Sequence, residues 1–320
     1  MTNPTAMNIT FSSFCANSEA MQLLMEKAKK FALLDAPLLI QGETGSGKDV
    51  LAKACHNASP RASHKFIAVN CAGLPKDDAE SEMFGRINGG IESIGFFEYA
   101  NGGTVLLDGV AELPLSLQAK LLRFLNDGTF RRVGAEQEYY ADVRVICTSQ
   151  IPLQQAVKEG NMHENLFHRL NVLPLTVPPL RERIKDIEPL AYLFSKEICK
   201  SLNKQPPIFS SQFLTFLQKY PWPGNVRELK NALYRACSLS TPNQPLKIED
   251  LMLDLVNQEH NNFNFQQFED KSLDQIMNYF EEQVLRHFYL QYPSTRKLAA
   301  RLQVSHTAIA NKLKQYGITK

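Results

Sequence analysis

Paired cysteines, long apolar runs and an excess of charge of either sign are all missing from this 320-residue chain. The six cysteines (Cys15, Cys55, Cys71, Cys147, Cys199, Cys237) are scattered and form no C-x-x-C pair. That argues against a zinc site or a disulfide framework and for reduced thiols. No stretch approaches the ~20 apolar residues of a membrane span. The opening MTNPTAMNIT has neither the basic nor the apolar region of a secretory signal. A cytoplasmic location with no membrane partner is therefore expected. The net charge of +2 gives no pointer to nucleic acid, so charge has to be read locally. With 44% hydrophobic and 21% charged residues the composition is that of an ordinary globular protein, and no internal repeat is visible.

From about residue 11 to 178, short β-rich runs alternate with helical patterns. The runs are Pro37–Gln41, Lys65–Asn70, Thr104–Asp108, Val143–Ser149 and Val172–Val177. They are mostly apolar on both faces, as in a parallel sheet covered by helices, and segments such as Leu115–Leu125 supply those helices. From 179 to 255 the strand signals stop. Asp186–Leu202 and Ser210–Tyr220 read as helices, and the turn PWPGN leads into another, with Asn225 as its N-cap. NQEHNNFNFQQFEDK is rich in Asn and Gln, lacks periodicity and reads as a linker. Helical pattern returns from 272 to 320.

After the first strand comes GETGSGKD, Gly42 to Asp49, followed by a helical pattern, Asp49–His56. A strand, G-x-x-x-x-G-K and a helix in that order make a phosphate-binding loop. Its backbone N–H groups and the helix N-terminus face phosphate oxygens, and Lys48 supplies a charge for the β- and γ-phosphates. Candidate contacts are Gly42, Glu43, Thr44, Gly45, Ser46, Gly47, Lys48 and Asp49. The residue after the lysine is usually a Ser or Thr that contacts magnesium, and here it is Asp49. In GTVLLDGVAELP, a buried strand ends at Asp108, where a P-loop protein holds its magnesium ion. Glu112 is open to two readings, a substitute base or, preferably, a cap or solvated residue beside the next helix.

These residues resemble the central AAA+ domain of the bacterial enhancer-binding proteins, the sigma-54 activators. The likeness runs through GETGSGKD, FIAVNCAGLP, ESEMFG, GFFEYANGGTVLLD, LQAKLLRFLNDGTFRRVG, DVRVICTSQ, FHRLNVLPLTVPPLRER and YPWPGNVREL, from about residue 11 to 240. The ending STRKLAARLQVSHTAIANKLKQYGI is similar to that family's Fis-type helix-turn-helix. The resemblance implies an α/β AAA+ P-loop domain, a parallel sheet flanked by helices with a helical lid, plus an all-α C-terminal helix-turn-helix domain. The corresponding division is a tail at 1–10, the α/β subdomain at 11–178, the lid at 179–255, a linker at 256–271 and the DNA-binding domain at 272–320. The chain looks nearest to the branch that regulates aromatic amino acid genes. Because the AAA+ region begins almost at Met1, a form without that branch's N-terminal sensory domains is expected.

Departures from the sigma-54 activators are informative. The GAFTGA loop that touches the sigma factor is absent, since EMFG runs through RINGGIESI to GFFE. Asp108 is followed by Gly109 where those proteins carry a water-activating glutamate. Gln150 stands where the polar sensor is usually Asn. Of two finger arginines that reach a neighbour's nucleotide, Arg169 matches one, while His163 replaces the other. Arg227 matches the lid's sensor arginine. A finger arginine is worth ~10³–10⁵ in rate and general-base catalysis ~10²–10⁴. ATP with Mg²⁺, the metal on Asp108, is thus expected to be held rather than burned, with at most weak hydrolysis. A nucleotide shared with Arg169 of the next protomer would favour the assembled state.

At the C-terminal end, Thr295–Leu302 and His306–Tyr316 are two helical patterns joined at Gln303-Val304-Ser305, with Ser305 as N-cap and Gln303 under left-handed strain. Leu298, Ala299, Leu302, Val304, Ile309 and Leu313 are the expected core. No acidic residue lies between Gln291 and Lys320, while Arg296, Lys297, Arg301, Lys312, Lys314 and Lys320 are basic. His306, Thr307, Ala308 and Asn311 are candidates for base readout; Arg296, Lys297, Lys312 and Lys314 for phosphate contact. Leu273–Leu290 carries a broad stripe (Leu273, Ile276, Phe280, Val284, Leu285, Phe288), read first as dimer packing that places two reading heads on a palindromic double-stranded site, with core packing inside the monomer as the alternative.

The leading expectation is an ATP-binding transcription regulator, a repressor and sometimes an activator of aromatic amino acid biosynthesis and transport genes. Tyrosine would be its co-effector and sigma-70 RNA polymerase its partner. It would be a homodimer that forms a larger oligomer, such as a hexamer, with ATP and tyrosine. The alternatives are a working ATPase that remodels sigma-54 polymerase and, more remotely, a P-loop enzyme acting on a small metabolite.

Overall fold

The computed structural model describes residues 9–75, 77–241, 244–251, 271–292 and 294–318. The chain divides into two compact units, one to residue 253 and one from residue 254, and each is described by itself. The expected tail falls mostly, and the expected linker almost wholly, outside the described residues.

In the first unit the elements run α1 (Glu19–Ala32), β1 (Leu38–Gln41), α2 (Lys48–Asn57), β2 (Phe66–Asn70), α3 (Ala79–Phe84), β3 (Arg86–Asn88), β4 (Ile91–Ser93), α4 (Phe96–Tyr99), β5 (Thr104–Asp108), α5 (Leu115–Asp127), β6 (Thr129–Arg131), β7 (Glu138–Tyr140), β8 (Arg144–Ser149), α6 (Leu153–Lys158), α7 (Glu164–Leu170) and β9 (Leu173–Thr176). The five runs read from the sequence form one parallel sheet in the order β2-β5-β8-β1-β9. Alternate strand residues face opposite ways. Leu39, Val105, Leu107, Val145 and Cys147 enter one core, with α5 and α7. Leu38, Ile40, Leu106 and Ile146 enter the other, with α1 and α2. Each fully buried side chain of this kind is worth ~1.5–3 kcal/mol, which is why the three central runs are largely apolar on both faces, while the edge strands β2 and β9 are only partly buried. Pro174 is tolerated because β9 is an edge strand.

Two hairpins were not legible in the sequence. β3 pairs with β4 around Gly89-Gly90, both at positive φ, as a tight hairpin turn needs. β6 pairs with β7. They meet where Ile87 N–H donates to the Val133 carbonyl at 2.8 Å. The buried Arg132 binds Glu92 and Glu98 at 2.6 and 2.8 Å, anchoring the first hairpin, which is formed by the RINGGIESI stretch between EMFG and GFFE.

The lid comprises α8 (Ile187–Ser201), α9 (Ser211–Lys219) and α10 (Asn225–Leu239), packed around Phe213, Trp222, Leu229 and Leu233. Ser210 caps α9 by accepting from Phe213 N–H at 3.1 Å.

The second unit holds α11 (Leu273–Gln291), α12 (Thr295–Leu302) and α13 (His306–Gln315), with Leu285, Leu298, Ala299, Ile309 and Leu313 as its core. Val304 is not part of that core; it is 43% exposed, because the left-handed Gln303 (φ 56°) turns the next side chain outward. The α11 stripe is also divided. Leu285 and Phe288 pack on the hairpin of this same unit, while Leu273 and Val284 stay exposed, so part of its apolar face is used internally.

Candidate functional site

In a parallel sheet all strands end on one edge, and the loops after β1, β5 and β8 converge there. A cavity of about 330 Å³ opens at this edge, between the phosphate loop and the lid. Thr44, Gly45, Gly47, Lys48, Asp49, Asp108, Gln150 and Arg227 line it. These residues, 183 positions apart in sequence at the extremes, thus share one wall-to-wall space. Gly42, Glu43 and Ser46 belong to the loop but do not line the cavity. Arg169 does not reach it either; its Nε and Nη2 donate to the Leu125 carbonyl at 3.1 and 2.6 Å. His163 lies apart as well, its ring nitrogen 3.1 Å from the Leu115 carbonyl.

Lys48 begins α2 and is buried. Its Nζ donates to the carbonyls of Gly42 and Glu43 at 2.8 and 3.0 Å. Burial holds its ammonium below the ordinary range, while Asp108 and Asp49 pull it back up. Burial, and then the Asp108 carboxylate, push the Asp49 carboxyl upward. Two carboxylates beside one ammonium suit a hard cation. Among the described residues no three acidic, His or Cys groups gather, so such a cation would need oxygens from a ligand as well.

Asp108 accepts a hydrogen bond from the Thr148 hydroxyl, which also accepts from Gly109 N–H at 3.1 Å. Thr148 was not singled out in the sequence; Gln150, the expected polar sensor, lines the cavity and accepts from the Thr44 hydroxyl at 2.8 Å. Gly109 is left-handed (φ 76°), and Glu112 is exposed at the end of a single 3₁₀ turn. Glu112 caps nothing: α5 starts after Pro114 with no side-chain cap.

Asn225 does not act as the N-cap that the sequence predicts. It is the first residue of α10 and not its cap, has φ 53° and is fully buried. Its carboxamide faces away from its own helix. Oδ1 accepts from Leu180 N–H at 2.7 Å, and Nδ2 donates to the Thr44 carbonyl at 3.0 Å and to Glu43 Oε2 at 3.1 Å. Arg181 grips both oxygens of Glu43 at 2.8 and 2.6 Å, which holds that carboxyl below its usual range. The cavity's remaining lining, Val50, Phe194, Val226 and Lys230, was also missed. A signal existed for two of these: positions 226, 227 and 230 share one face of a helix, so Arg227 marks its neighbours.

Comparison with known proteins places this architecture. Residues 14–176 match the sigma-54 interaction domain, 181–267 the AAA+ ATPase lid domain and 270–319 a helix-turn-helix domain. The chain is 64% identical to the HTH-type transcriptional regulatory protein TyrR of Haemophilus influenzae, over 97% of this chain and 96% of that protein. The chain belongs to the TyrR family. It is thus an HTH-type transcriptional regulator carrying a sigma-54 interaction domain. TyrR of Salmonella typhimurium is 49% identical over 97% of this chain, which spans 60% of that longer relative. Among solved structures, NtrX from Brucella abortus in complex with ATP aligns with a TM-score of 0.72 at 30% identity, covering 94% of this chain and 68% of its own.

In the helix-turn-helix unit, Ser305 accepts from Ala308 N–H at 3.2 Å and caps α13. His306, Thr307 and Asn311 are exposed and Ala308 is half-buried. Arg296, Lys297 and Lys314 are exposed as well. Lys312 differs from expectation: it is paired with Glu281 of α11, which also accepts from the Tyr316 hydroxyl at 2.8 Å. An acid 31 residues upstream was invisible to a count of charges after Gln291. Among the described residues no helix is long and apolar enough to cross a membrane.

Proposed function

We propose that this regulator binds ATP as an assembly ligand and hydrolyses it slowly at most. One observation carries the reading. Lys48, Asp108 and Arg227 line a single cavity, while the residue after Asp108 is a left-handed glycine with no side chain to activate water. The ATP complex of the related NtrX supports the ligand class. Lys48 would meet the phosphates, and Mg²⁺ would be held by Asp108, with Asp49 beside it and phosphate oxygens completing the set. Arg169, outside its own cavity, is the group to reach a neighbour's nucleotide.

The same reading assigns Arg296, Lys297 and Lys314 to phosphates of a palindromic double-stranded operator, and His306, Thr307, Ala308 and Asn311 to its bases, after the cap Ser305. Aromatic amino acid genes, tyrosine as co-effector, sigma-70 polymerase, a homodimer growing to a hexamer and a cytoplasmic location complete it. The division at 11–178, 179–255 and 272–320 is part of the same proposal.

The test is ATP binding and turnover on one purified sample, with Lys48→Ala as control. Tight binding lost in Lys48→Ala, with turnover no faster than that control, is the expected result. Brisk turnover lost in Lys48→Ala would overturn the reading and restore a remodelling ATPase of sigma-54 polymerase.

A further inference from the structure

The phosphate loop is tied to the lid at every residue from Glu43 to Ser46. Glu43 is held by Arg181 and Asn225, and the Thr44 carbonyl by Asn225. The Gly45 carbonyl accepts from Arg227 N–H at 3.3 Å, and the Ser46 carbonyl from the buried Arg183 at 2.8 Å. Asn225 bonds both to the loop and, through Leu180 N–H, to the segment where the sheet hands over to the lid. Its turn is strained as well. Trp222 (φ 49°) and Asn225 (φ 53°) are both left-handed without being glycine, at ~1–3 kcal/mol each. Such strain persists only where the surroundings fix it.

We infer that Asn225 is a positioning residue that makes the lid follow the state of the phosphate loop. The inference rests on the nucleotide reading above. In the structure Lys48 Nζ is spent on the carbonyls of Gly42 and Glu43. A triphosphate arriving in the cavity competes for that ammonium and frees the carbonyl of Glu43. That residue's side chain sits in the clamp with Arg181 and Asn225, so movement of the loop is passed to the hinge and to the first turn of α10. That turn carries Arg227, so the loop sets where the lid's arginine points.

The chain supplies its own reporter. Trp222, the only tryptophan, is fully buried in the same turn, with Nε1 donating to the Leu217 carbonyl at 2.7 Å. Trp222 emission is followed while ATP is titrated to saturation, with occupancy measured in parallel by equilibrium dialysis. The variants are Asn225→Asp, which keeps the acceptor for Leu180 but sets a like charge against Glu43, and Asn225→Gly, which relieves the left-handed strain and deletes the clamp. The wild type is expected to change its emission on saturation, and both variants to lose that change per bound nucleotide. A merely structural Asn225 would lower the melting temperature and leave the change intact, which would overturn the inference. So would a wild type that binds ATP with silent Trp222. A wild type that binds no ATP in dialysis sinks the nucleotide reading itself, a separate outcome. Should Asn225→Gly and Asn225→Asp both fail to fold, Arg181→Gln cuts the same clamp at the hinge, and an unchanged response there refutes the coupling.

Discussion

Replacing Gly45 by Ala tests whether the lid is seated on the phosphate loop. An ideal Cβ on Gly45 would lie 2.3 Å from the Gly224 carbonyl oxygen and 3.0 Å from Arg227 Cβ, at φ +76°. Ordinary contact begins at 3.4 Å, so loop and lid must part by about 1 Å, and the carbonyl cannot swing away as a side-chain tip would. Gly47 is the matched control: its Cβ meets nothing within 4 Å, at φ +106°. Both alanines carry left-handed strain of ~1–3 kcal/mol. Gly45→Ala alone adds an overlap of ~1–3 kcal/mol. For a unit of this size ~1 kcal/mol moves Tm by ~2–4 °C, so Gly45→Ala should melt roughly 4–8 °C below Gly47→Ala for an overlap near ~2 kcal/mol. The assay is thermal unfolding without nucleotide, which keeps ligand affinity out of the comparison. Equal melting temperatures would mean that Gly224 does not rest on the loop, and the clamp argument would fall with it.

Other consequences follow from single contacts. His56 is buried against Phe66 with its ring nitrogen 2.9 Å from the Thr104 hydroxyl, and burial, helped by the Arg144 charge, lowers its pKa. A depressed folded-state value means the unfolded chain binds the proton more readily, so stability is intact above about pH 6.5 and falls as pH drops toward the folded value. Melting curves from about pH 7 to about pH 5 should show that loss, and His56→Gln should flatten it. Glu281→Gln should free Lys312 for phosphate and steepen the dependence of log K on log salt by ~0.9; an unchanged slope in fluorescence anisotropy would leave Lys312 as a purely internal contact. Arg169→Ala should weaken ATP-driven assembly in sedimentation, and assembly equal to wild type would exclude Arg169 from the shared site.

The sequence reading succeeded where one residue's chemistry is decided by its neighbours along the chain. Three of the five strands were legible because β1, β5 and β8 are buried along nearly their whole length around the apolar runs Leu38–Ile40, Val105–Leu107 and Val145–Cys147. The phosphate loop was legible because a turn, a lysine and a helix start are contiguous. It failed where partners are distant. Thr148 took the bond to Asp108 because β8 lies beside β5, a pairing that sets Cys147 opposite Leu107 and brings the next residue to the acid. Glu281 reached Lys312 only through the fold of α11 against α13. Asn225 is the sharpest case. An asparagine before a helical pattern is normally a cap, since its oxygen can accept from N–H groups of the first turn. The same carboxamide also carries two donors. Here Leu180 N–H takes the oxygen, and Thr44 and Glu43, 181 and 182 positions away, take the amine. Position in the chain could not choose between the two uses. The left-handed backbone shows that the tertiary partners won, because a free cap would have no need to adopt φ 53°.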